Sequence, residues 1–291
     1  MTVRAGFIGL GNIGKPMALR LAAWEGGLTV FDLAPEPLAE AEQAGARIAS
    51  SVADLALECG YISVMVNTDD QVRDVIGEIL GAAKPGTVVA VHSTISPDLP
   101  PRLEDLGGRH DLLVVDAPVS GGPMGAAEGT LAIMVGGTDE AFAAAGGPLG
   151  LMGSEVVHCG PIGNGTAAKL ARNLLHFVSF TATGEALRLA EAAGVDLSVL
   201  GKIVRHTDAI TGGPGAIMLR NTAKEIEPGD FWLSIFQHVH ALGAKDLRHA
   251  IELADRLGVE VPMAHFAQDN LAAALGLPAV DVSTSSTNGS K

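Results

Sequence analysis

The sequence has few cysteines, few basic residues and no long apolar run. Cys59 and Cys159 are the two cysteines in 291 residues, which excludes a disulfide framework. Because the amino terminus is not signal-like either, we expect a cytoplasmic protein. Lysine and arginine total 19 against 33 acidic residues, so no basic stripe is available to bind nucleic acid. No apolar run reaches the roughly 18 residues that span a bilayer, so we expect no membrane partner.

A glycine-rich turn follows the first predicted strand. The apolar run from Val3 to Ile8 leads directly into the pattern G-x-G-x-x-G. The first glycine permits a tight turn, the second lets the backbone approach a pyrophosphate, and the third lets a helix pack closely on the strand. The amino terminus of that helix favours the phosphates of a dinucleotide. The predicted cofactor-binding turn comprises Gly9, Leu10, Gly11, Asn12, Ile13 and Gly14.

An acidic residue follows the second predicted strand. Asp32 comes directly after Leu28–Phe31 and lies 18 residues beyond Gly14. A carboxylate at this place accepts hydrogen bonds from the adenosine ribose and repels a 2′-phosphate, so we expect NAD rather than NADP. The alternative is a glycine-rich turn beside an ordinary surface aspartate, which the order strand–turn–helix–strand–acid disfavours.

Residues 1–162 alternate short apolar runs with amphipathic stretches, a pattern typical of βα units on a mostly parallel sheet. We therefore predict an α/β fold that begins with a doubly wound, NAD-binding Rossmann domain. The predicted strands are Ala5–Ile8, Leu28–Phe31, Tyr61–Val66, Thr87–Val91, Leu112–Val115, Leu131–Val135 and Glu155–His158. The predicted helices begin at Asn12, Pro35, Ser51, Asp69, Pro97 and Asp139, with Ser51 and Asp69 as N-caps.

Residues 163–278 lack a strand pattern and predict an all-helical domain for substrate binding and oligomerisation. The longest helix, Thr166–Ala193, is apolar at nearly every helical spacing, which indicates burial between domains or subunits. We therefore expect a homodimer or homotetramer with this helix near the interface. Residues 279–291 are rich in serine and threonine and predict a disordered tail. The other predicted helices are Leu197–Val204, Gly215–Arg220, Val239–Leu257 and Met263–Leu275.

One of the seven lysines lies within the longest predicted helix. Lys169 has apolar neighbours, and burial of an ammonium group is costly. Desolvation lowers the pKa of a lysine towards the range in which a proton shuttle works. Asn173 lies four residues later on the same helical face, so an amine and an amide converge on one bound substrate. The alternative is a lysine whose stem packs while its head reaches water.

Four ordered motifs cover the chain from Phe7 to about Leu257: residues 7–18, 116–122, 163–169 and 245–247. Together they resemble the 3-hydroxyisobutyrate dehydrogenase family of β-hydroxyacid dehydrogenases. The resemblance implies that Lys169 is catalytic and that Asn173 orients the substrate. It also implies a carboxylate-binding role for Ser120, Gly121 and Gly122, and cofactor-binding roles for Val66, Asn67, Thr94 and Lys245.

The chain departs from the family pattern at three places. Val66–Asn67 stands where leucine and proline are common, and Arg172–Asn173 stands where paired asparagines are common. Residues 230–240 are longer and more aromatic than the family stretch, in a region that shapes the substrate pocket. They include His238 and His240, which lie two residues apart and point to different helical faces, so we predict no metal site.

The motifs predict reversible oxidation of a short β-hydroxy acid, such as 3-hydroxyisobutyrate, by NAD in a cleft between the two domains. The same machinery serves reduction of a short aldehyde acid, such as succinic semialdehyde, tartronate semialdehyde or glyoxylate. Lys169 disfavours an imine reductase, and the short helical half disfavours phosphogluconate oxidation. A non-catalytic NAD-binding sensor would not need Ser120, Lys169 and Asn173 together.

Overall fold

The computed structural model describes residues 2–278, so the tail predicted over 279–291 lies outside the described residues. The chain divides into two compact units that meet between Asn173 and Leu174. This boundary falls inside a long helix, α8 (Asn164–Ala192). The first turns of α8, including Lys169, therefore belong to the first unit.

The first unit is a sheet covered by helices. Its strands are β1 (Arg4–Ile8), β2 (Leu28–Phe31), β3 (Arg47–Ile48), β4 (Cys59–Val64), β5 (Val88–Val91), β6 (Leu113–Asp116), β7 (Val119–Ser120), β8 (Ala132–Gly136) and β9 (Glu155–Gly160). Its helices, besides the start of α8, are α1 (Gly14–Leu21), α2 (Pro35–Gln43), α3 (Val52–Glu58), α4 (Asp69–Ala82), α5 (Leu99–Gly108), α6 (Gly122–Glu128) and α7 (Asp139–Met152).

Within residues 2–278 the strands form one sheet in the order β3-β2-β1-β4-β5-β6-β8-β7, with β9 paired to β8. The strands from β3 to β6 in this order pair in parallel, whereas β8 runs antiparallel to β6 and β7. Chain order reverses between β1 and β4, which are neighbours. The predicted doubly wound Rossmann domain is confirmed.

The core lies on both faces of the sheet because successive strand residues point to opposite sides. Phe7 joins Met17 and Leu21 of α1 on one face. Ile8 joins Leu55 of α3 and Ile76 of α4 on the other face. Strands that are buried on both faces read as nearly continuous apolar runs, which explains why the sequence revealed them.

The second unit contains the rest of α8 and three further helices, α9 (Leu197–Thr211), α10 (Phe231–Leu257) and α11 (Pro262–Ala274). Its described part, residues 174–278, has no strand, so the predicted helical domain is confirmed. The buried Glu185 accepts hydrogen bonds from Met263 N (2.7 Å) and Ala264 N (3.1 Å) at the start of α11. None of the described helices is long and apolar enough to cross a membrane.

Several predicted helix boundaries were wrong. Thr68, not Asp69, caps α4, in a capping box with Gln71. Helix α5 begins at Leu99 rather than Pro97, after a turn. The helix predicted over Gly215–Arg220 is absent from the described structure, where a short 3₁₀ helix over Gly213–Gly215 leads into turns.

The aromatic segment 230–240 is the beginning of α10. The side chain of Asp230 accepts a hydrogen bond from Trp232 N at 2.8 Å and starts the helix eight residues before the predicted Val239. Phe236 is buried in an apolar cluster with Ile226 and Leu275. The segment is therefore helical and contributes to the core of the second unit.

Candidate functional site

The glycine-rich turn lies where the order of the sheet reverses, the usual ligand position in such folds. Gly9 has φ +93°, and a Cβ atom on it would lie 2.1 Å from Met65 O. A Cβ atom on Gly14 would lie 2.0 Å from Gly9 O. Around Gly11, by contrast, no described heavy atom lies within 4 Å of the Cβ position. The turn thus has tight backbone packing at Gly9 and Gly14 and open space at Gly11, where a pyrophosphate would approach the backbone.

Asp32 joins this turn at the end of β2. Its Oδ2 atom accepts a hydrogen bond from Leu10 N at 2.5 Å, and its Oδ1 atom accepts one from Ala34 N at 2.8 Å. Each carboxylate oxygen can accept a further hydrogen bond, so a ribose can still bind. A cleft of about 420 Å³ opens here, and its lining includes Gly9, Leu10, Gly11, Asp32, Val66, Asn67, Asp74 and Glu78.

The loop after β4 is tied to the loop after β5. Ser93 Oγ accepts a hydrogen bond from Val66 N (2.9 Å) and donates one to Val66 O (2.7 Å). Thr94, the next residue, is exposed. Asn67 N donates to Gln71 Oε1 at 2.9 Å, a contact that the common family proline cannot make because it lacks an N–H. The departure at Asn67 thus adds a local hydrogen bond.

His92 is a buried residue to which sequence analysis gave no role. The atoms His92 Nδ1 and Ala117 O lie 2.8 Å apart, so Nδ1 carries the proton and donates. His92 Nε2 lies 3.0 Å from Ser63 Oγ and accepts from it. Burial lowers the pKa of His92 to about 4, which keeps the ring neutral. The ring therefore holds the loop after β6 against β4 and β5.

Asp116, at the end of β6, is a second residue whose contacts the sequence did not reveal. It is 2% exposed. Its Oδ1 atom accepts from Gly163 N at 2.7 Å, and its Oδ2 atom accepts from Thr166 N at 2.5 Å. Burial raises the pKa of Asp116, while the N–H groups of Gly163 and Thr166 oppose that rise. The carboxylate thus holds the first turn of α8.

Lys169 lies one turn further along α8 and is 9% exposed. Its Nζ atom donates a hydrogen bond to Val119 O at 2.6 Å, so the amine contacts protein rather than reaching into water. Burial, and secondarily the Arg172 guanidinium, lowers the pKa of Lys169. Asn173 Oδ1 accepts a hydrogen bond from Arg172 at 3.3 Å.

The predicted carboxylate-binding residues form the turn from β7 into α6, called here the Ser120–Gly122 loop, in which Ser120 ends β7 and Gly122 begins α6. Ser120 is half-buried, and Gly121 and Gly122 have φ +134° and +65°. Only glycine adopts such angles readily. No heavy atom of the described chain lies within 4 Å of the Cβ position of Gly122, so its backbone is accessible to a ligand. The structure brings Lys169 and this loop together through Val119.

The remaining predicted residues lie in the second unit. Lys245 is on α10, where its Nζ atom lies 3.1 Å from Asp246 Oδ1, and its cofactor-binding role stays a prediction. His238 and His240 are on the same helix. Among the described residues, no three His, Cys, Asp or Glu side chains form a group that could hold a metal ion.

Comparison with known families divides the chain at the start of α8. Residues 4–160 match the NAD binding domain of 6-phosphogluconate dehydrogenase. Residues 163–284 match the family described as the NAD-binding domain of NADP-dependent 3-hydroxyisobutyrate dehydrogenase. The two matches together cover both the Rossmann domain and the helical domain.

Similar proteins extend this match over nearly the whole chain. An uncharacterised oxidoreductase of Mycobacterium tuberculosis is 50% identical over 287 residues, or 96% of each chain. The crystal structure of a Mycobacterium avium oxidoreductase aligns with TM-score 0.91 and 48% identity, over 94% of this chain and 99% of that one. The 3-hydroxyisobutyrate dehydrogenase of M. tuberculosis, described with L-serine, aligns with TM-score 0.67 and 32% identity over 94% of each chain. The chain therefore belongs to the 3-hydroxyisobutyrate dehydrogenase family of β-hydroxyacid dehydrogenases, a family of oxidoreductases.

Proposed function

We propose that this protein is an NAD-dependent dehydrogenase that reversibly oxidises a short β-hydroxy acid such as 3-hydroxyisobutyrate. One observation carries the proposal. The buried Lys169 amine donates to Val119 O, and Val119 immediately precedes Ser120, the first residue of the loop predicted to bind a carboxylate. An amine of lowered pKa beside such a loop suits proton transfer on a small hydroxy acid.

In this proposal Ser120, Gly121 and Gly122 hold the substrate carboxylate and so determine which carbon reacts. Neutral Lys169 accepts the hydroxyl proton during oxidation and returns it in the reverse direction. Asn173 orients the reacting oxygen. When bound, NAD would supply the hydride acceptor for this oxidation. The chain supplies alignment and a proton acceptor.

The charge of the cleft supports the proposed preference for NAD over NADP. Asp32 contacts Leu10 N in the glycine-rich turn, and Asp74 and Glu78 also line the cleft. These carboxylates repel a 2′-phosphate, whereas Asp32 can accept hydrogen bonds from ribose hydroxyls. We infer NAD although the helical half matches a family described as NADP-dependent.

The substrate class is supported by a relative. The M. tuberculosis 3-hydroxyisobutyrate dehydrogenase is described with L-serine, which carries a carboxylate and a hydroxyl group on its β carbon. Reduction of the aldehyde acids named above is the alternative, because Lys169 would then donate the proton rather than accept it.

The test is a substrate panel read by NADH absorbance. Purified protein is assayed with NAD or NADP and each of 3-hydroxyisobutyrate, L-serine, 4-hydroxybutyrate, glycerate and glycolate. The reverse reaction is assayed with NADH or NADPH and each of the aldehyde acids. We expect turnover of a β-hydroxy acid with kcat/KM at least tenfold higher with NAD. NAD binding without turnover of any compound in the panel would instead indicate a non-catalytic NAD-binding sensor.

We also propose that the protein is a homodimer or homotetramer assembled through α8. Leu174, Phe177 and Phe180 on this helix are 69%, 59% and 57% exposed. Large apolar side chains grouped on an exposed helix usually indicate a protein interface.

A further inference from the structure

We propose that Asp116 is a positioning residue that fixes the Lys169 amine relative to the Ser120–Gly122 loop. The inference rests on the proposed function, because it assigns Asp116 a part in that same site. Asp116 touches neither substrate nor cofactor in this account. It acts through the first turn of α8.

Both oxygen atoms of the Asp116 carboxylate accept hydrogen bonds from that turn. Gly163, which donates to Oδ1, immediately precedes α8, and Thr166, which donates to Oδ2, is the third residue of the helix. The first N–H groups of a helix have no partner within it. A side chain from another element, at the end of β6, therefore supplies the cap.

The first turn of α8 packs closely against the sheet around this cap. A Cβ atom on Gly165 would lie 2.4 Å from Met134 O and 2.5 Å from Asp116 O. A Cβ atom on Gly136 would lie 2.3 Å from Asp116 Oδ1. Backbone therefore packs directly on backbone and on the carboxylate. This close packing, together with the Asp116 hydrogen bonds, restricts movement of the first turn of α8 relative to the sheet.

Two bonds then bracket one turn of α8. Thr166 and Lys169 are three residues apart, which is nearly a full turn. Thr166 N donates to Asp116, and Lys169 Nζ donates to Val119 O at 2.6 Å. Asp116 and Val119 both belong to the segment that leads into Ser120. These two hydrogen bonds thus fix the position of the Lys169 amine relative to the Ser120–Gly122 loop.

A displaced amine has two measurable consequences. Displacement by about 1 Å lowers the rate by roughly 10²-fold even when ligands still bind. An amine released from Val119 O into water also loses the desolvation that lowers its pKa, so the pKa rises. A cap that served stability alone would change neither quantity in the folded protein.

The test compares Asp116→Asn and Asp116→Ala with Asp196→Asn and Asp196→Ala. Asp196 caps α9 in the second unit by accepting from Ser198 N at 2.7 Å, so it is a matched aspartate cap outside the site. Each variant is labelled with acetic anhydride over a range of pH, and the labelling of Lys169 is measured by mass spectrometry. Kinetics of hydroxy acid oxidation are measured on the same samples.

We expect Asp116→Asn to move the Lys169 labelling midpoint to higher pH and to lower kcat by about 10- to 100-fold. The KM for NAD should stay within twofold. Asp116→Ala, which removes both acceptor oxygens, should lower kcat more than Asp116→Asn does. The Asp196 variants should lower thermal stability without moving the midpoint.

An unchanged Lys169 midpoint and kcat in folded Asp116→Asn would overturn the proposal and leave a purely structural cap. The labelling needs no substrate, so it still tests Asp116 if the wild-type protein oxidises none of the panel. In that case the failure belongs to the proposed function alone.

Discussion

At the scale of single residues, the pKa of Lys169 depends on two surroundings. Burial lowers it most, and the Arg172 guanidinium three residues later lowers it further. In the proposed oxidation the neutral amine is the active form, so a lower pKa extends activity to lower pH. Arg172, a departure from the paired asparagines of the family, thereby gains a specific electrostatic effect.

We predict that Arg172→Gln moves the ascending limb of the pH–rate profile for oxidation to higher pH. Loss of the cation raises the pKa of Lys169, so less neutral amine is present near pH 7, while the rate recovers at high pH. Arg172→Lys should retain the wild-type profile. Arg188→Gln, further along α8, is the control. An Arg172→Gln profile that coincides with the wild-type profile contradicts this electrostatic role.

Among the elements, helix α8 contains two glycines, Gly165 in its first turn and Gly184 in its middle, that differ in the space around their Cβ positions. Gly165 has backbone atoms of Met134 and Asp116 within 2.5 Å of its Cβ position, whereas around Gly184 the nearest atom is the Arg188 side chain at 3.6 Å. Both residues are helical. They differ in what surrounds them.

We predict opposite effects of alanine at these two glycines. Gly165→Ala should destabilise the protein by about 1–3 kcal/mol or more, because backbone atoms cannot yield to the added methyl group. Gly184→Ala should stabilise it by about 0.5–1 kcal/mol, as expected for glycine in a helix interior. Thermal unfolding measures both. If the unfolding temperature shifted by a similar amount and in the same direction in both variants, the result would contradict the close packing described at Gly165.

Elements differ in how well the sequence predicted them. The buried parallel strands and the turn at Gly9 were predicted because their signals are local: apolar runs, glycine spacing and Asp32. The two-residue strands β3 and β7 were missed because they are too short to show a pattern. The helix predicted over Gly215–Arg220 was wrong because a few apolar residues without a cap do not define a helix.

In the candidate site, too, local sequence signals were predictive and tertiary contacts were not. The burial of Lys169 was predicted because a charged residue inside an apolar helix is conspicuous in sequence. The contacts of Asp116 and His92 join segments that are 47–50 and 25–29 residues apart. Such pairings depend on the tertiary fold, so no local pattern identified them. A signal did exist for Asp116, since it ends a buried strand, where an ionised side chain requires partners.

For the molecule as a whole, the proposed self-association rests on the exposed apolar residues of α8. The sequence predicted burial of this helix, yet Phe177 and Phe180 are exposed in the single chain. A second copy of the chain would supply the missing cover. These two exposed side chains are the observation on which the proposed homo-oligomer rests.

We predict that Phe177→Glu combined with Phe180→Glu lowers the oligomeric state, because two carboxylates oppose burial of the helix. Sedimentation velocity should show a dimer or tetramer for the wild-type chain and a smaller species for the variant. Leu57→Glu, at a 52% exposed position on α3, should leave assembly unchanged. A monomeric wild-type chain would refute the proposal.

A comparison of Lys169→Ala with Lys202→Ala decides whether the Lys169 amine accepts the substrate proton, because Lys202 is an exposed lysine on α9. Turnover of the best hydroxy acid and the Kd for NAD are determined for both. We predict that Lys169→Ala lowers kcat by about 10²- to 10⁴-fold with the Kd for NAD nearly unchanged, whereas Lys202→Ala behaves like the wild-type protein. A Lys169→Ala protein that turns over at the wild-type rate would contradict the central claim.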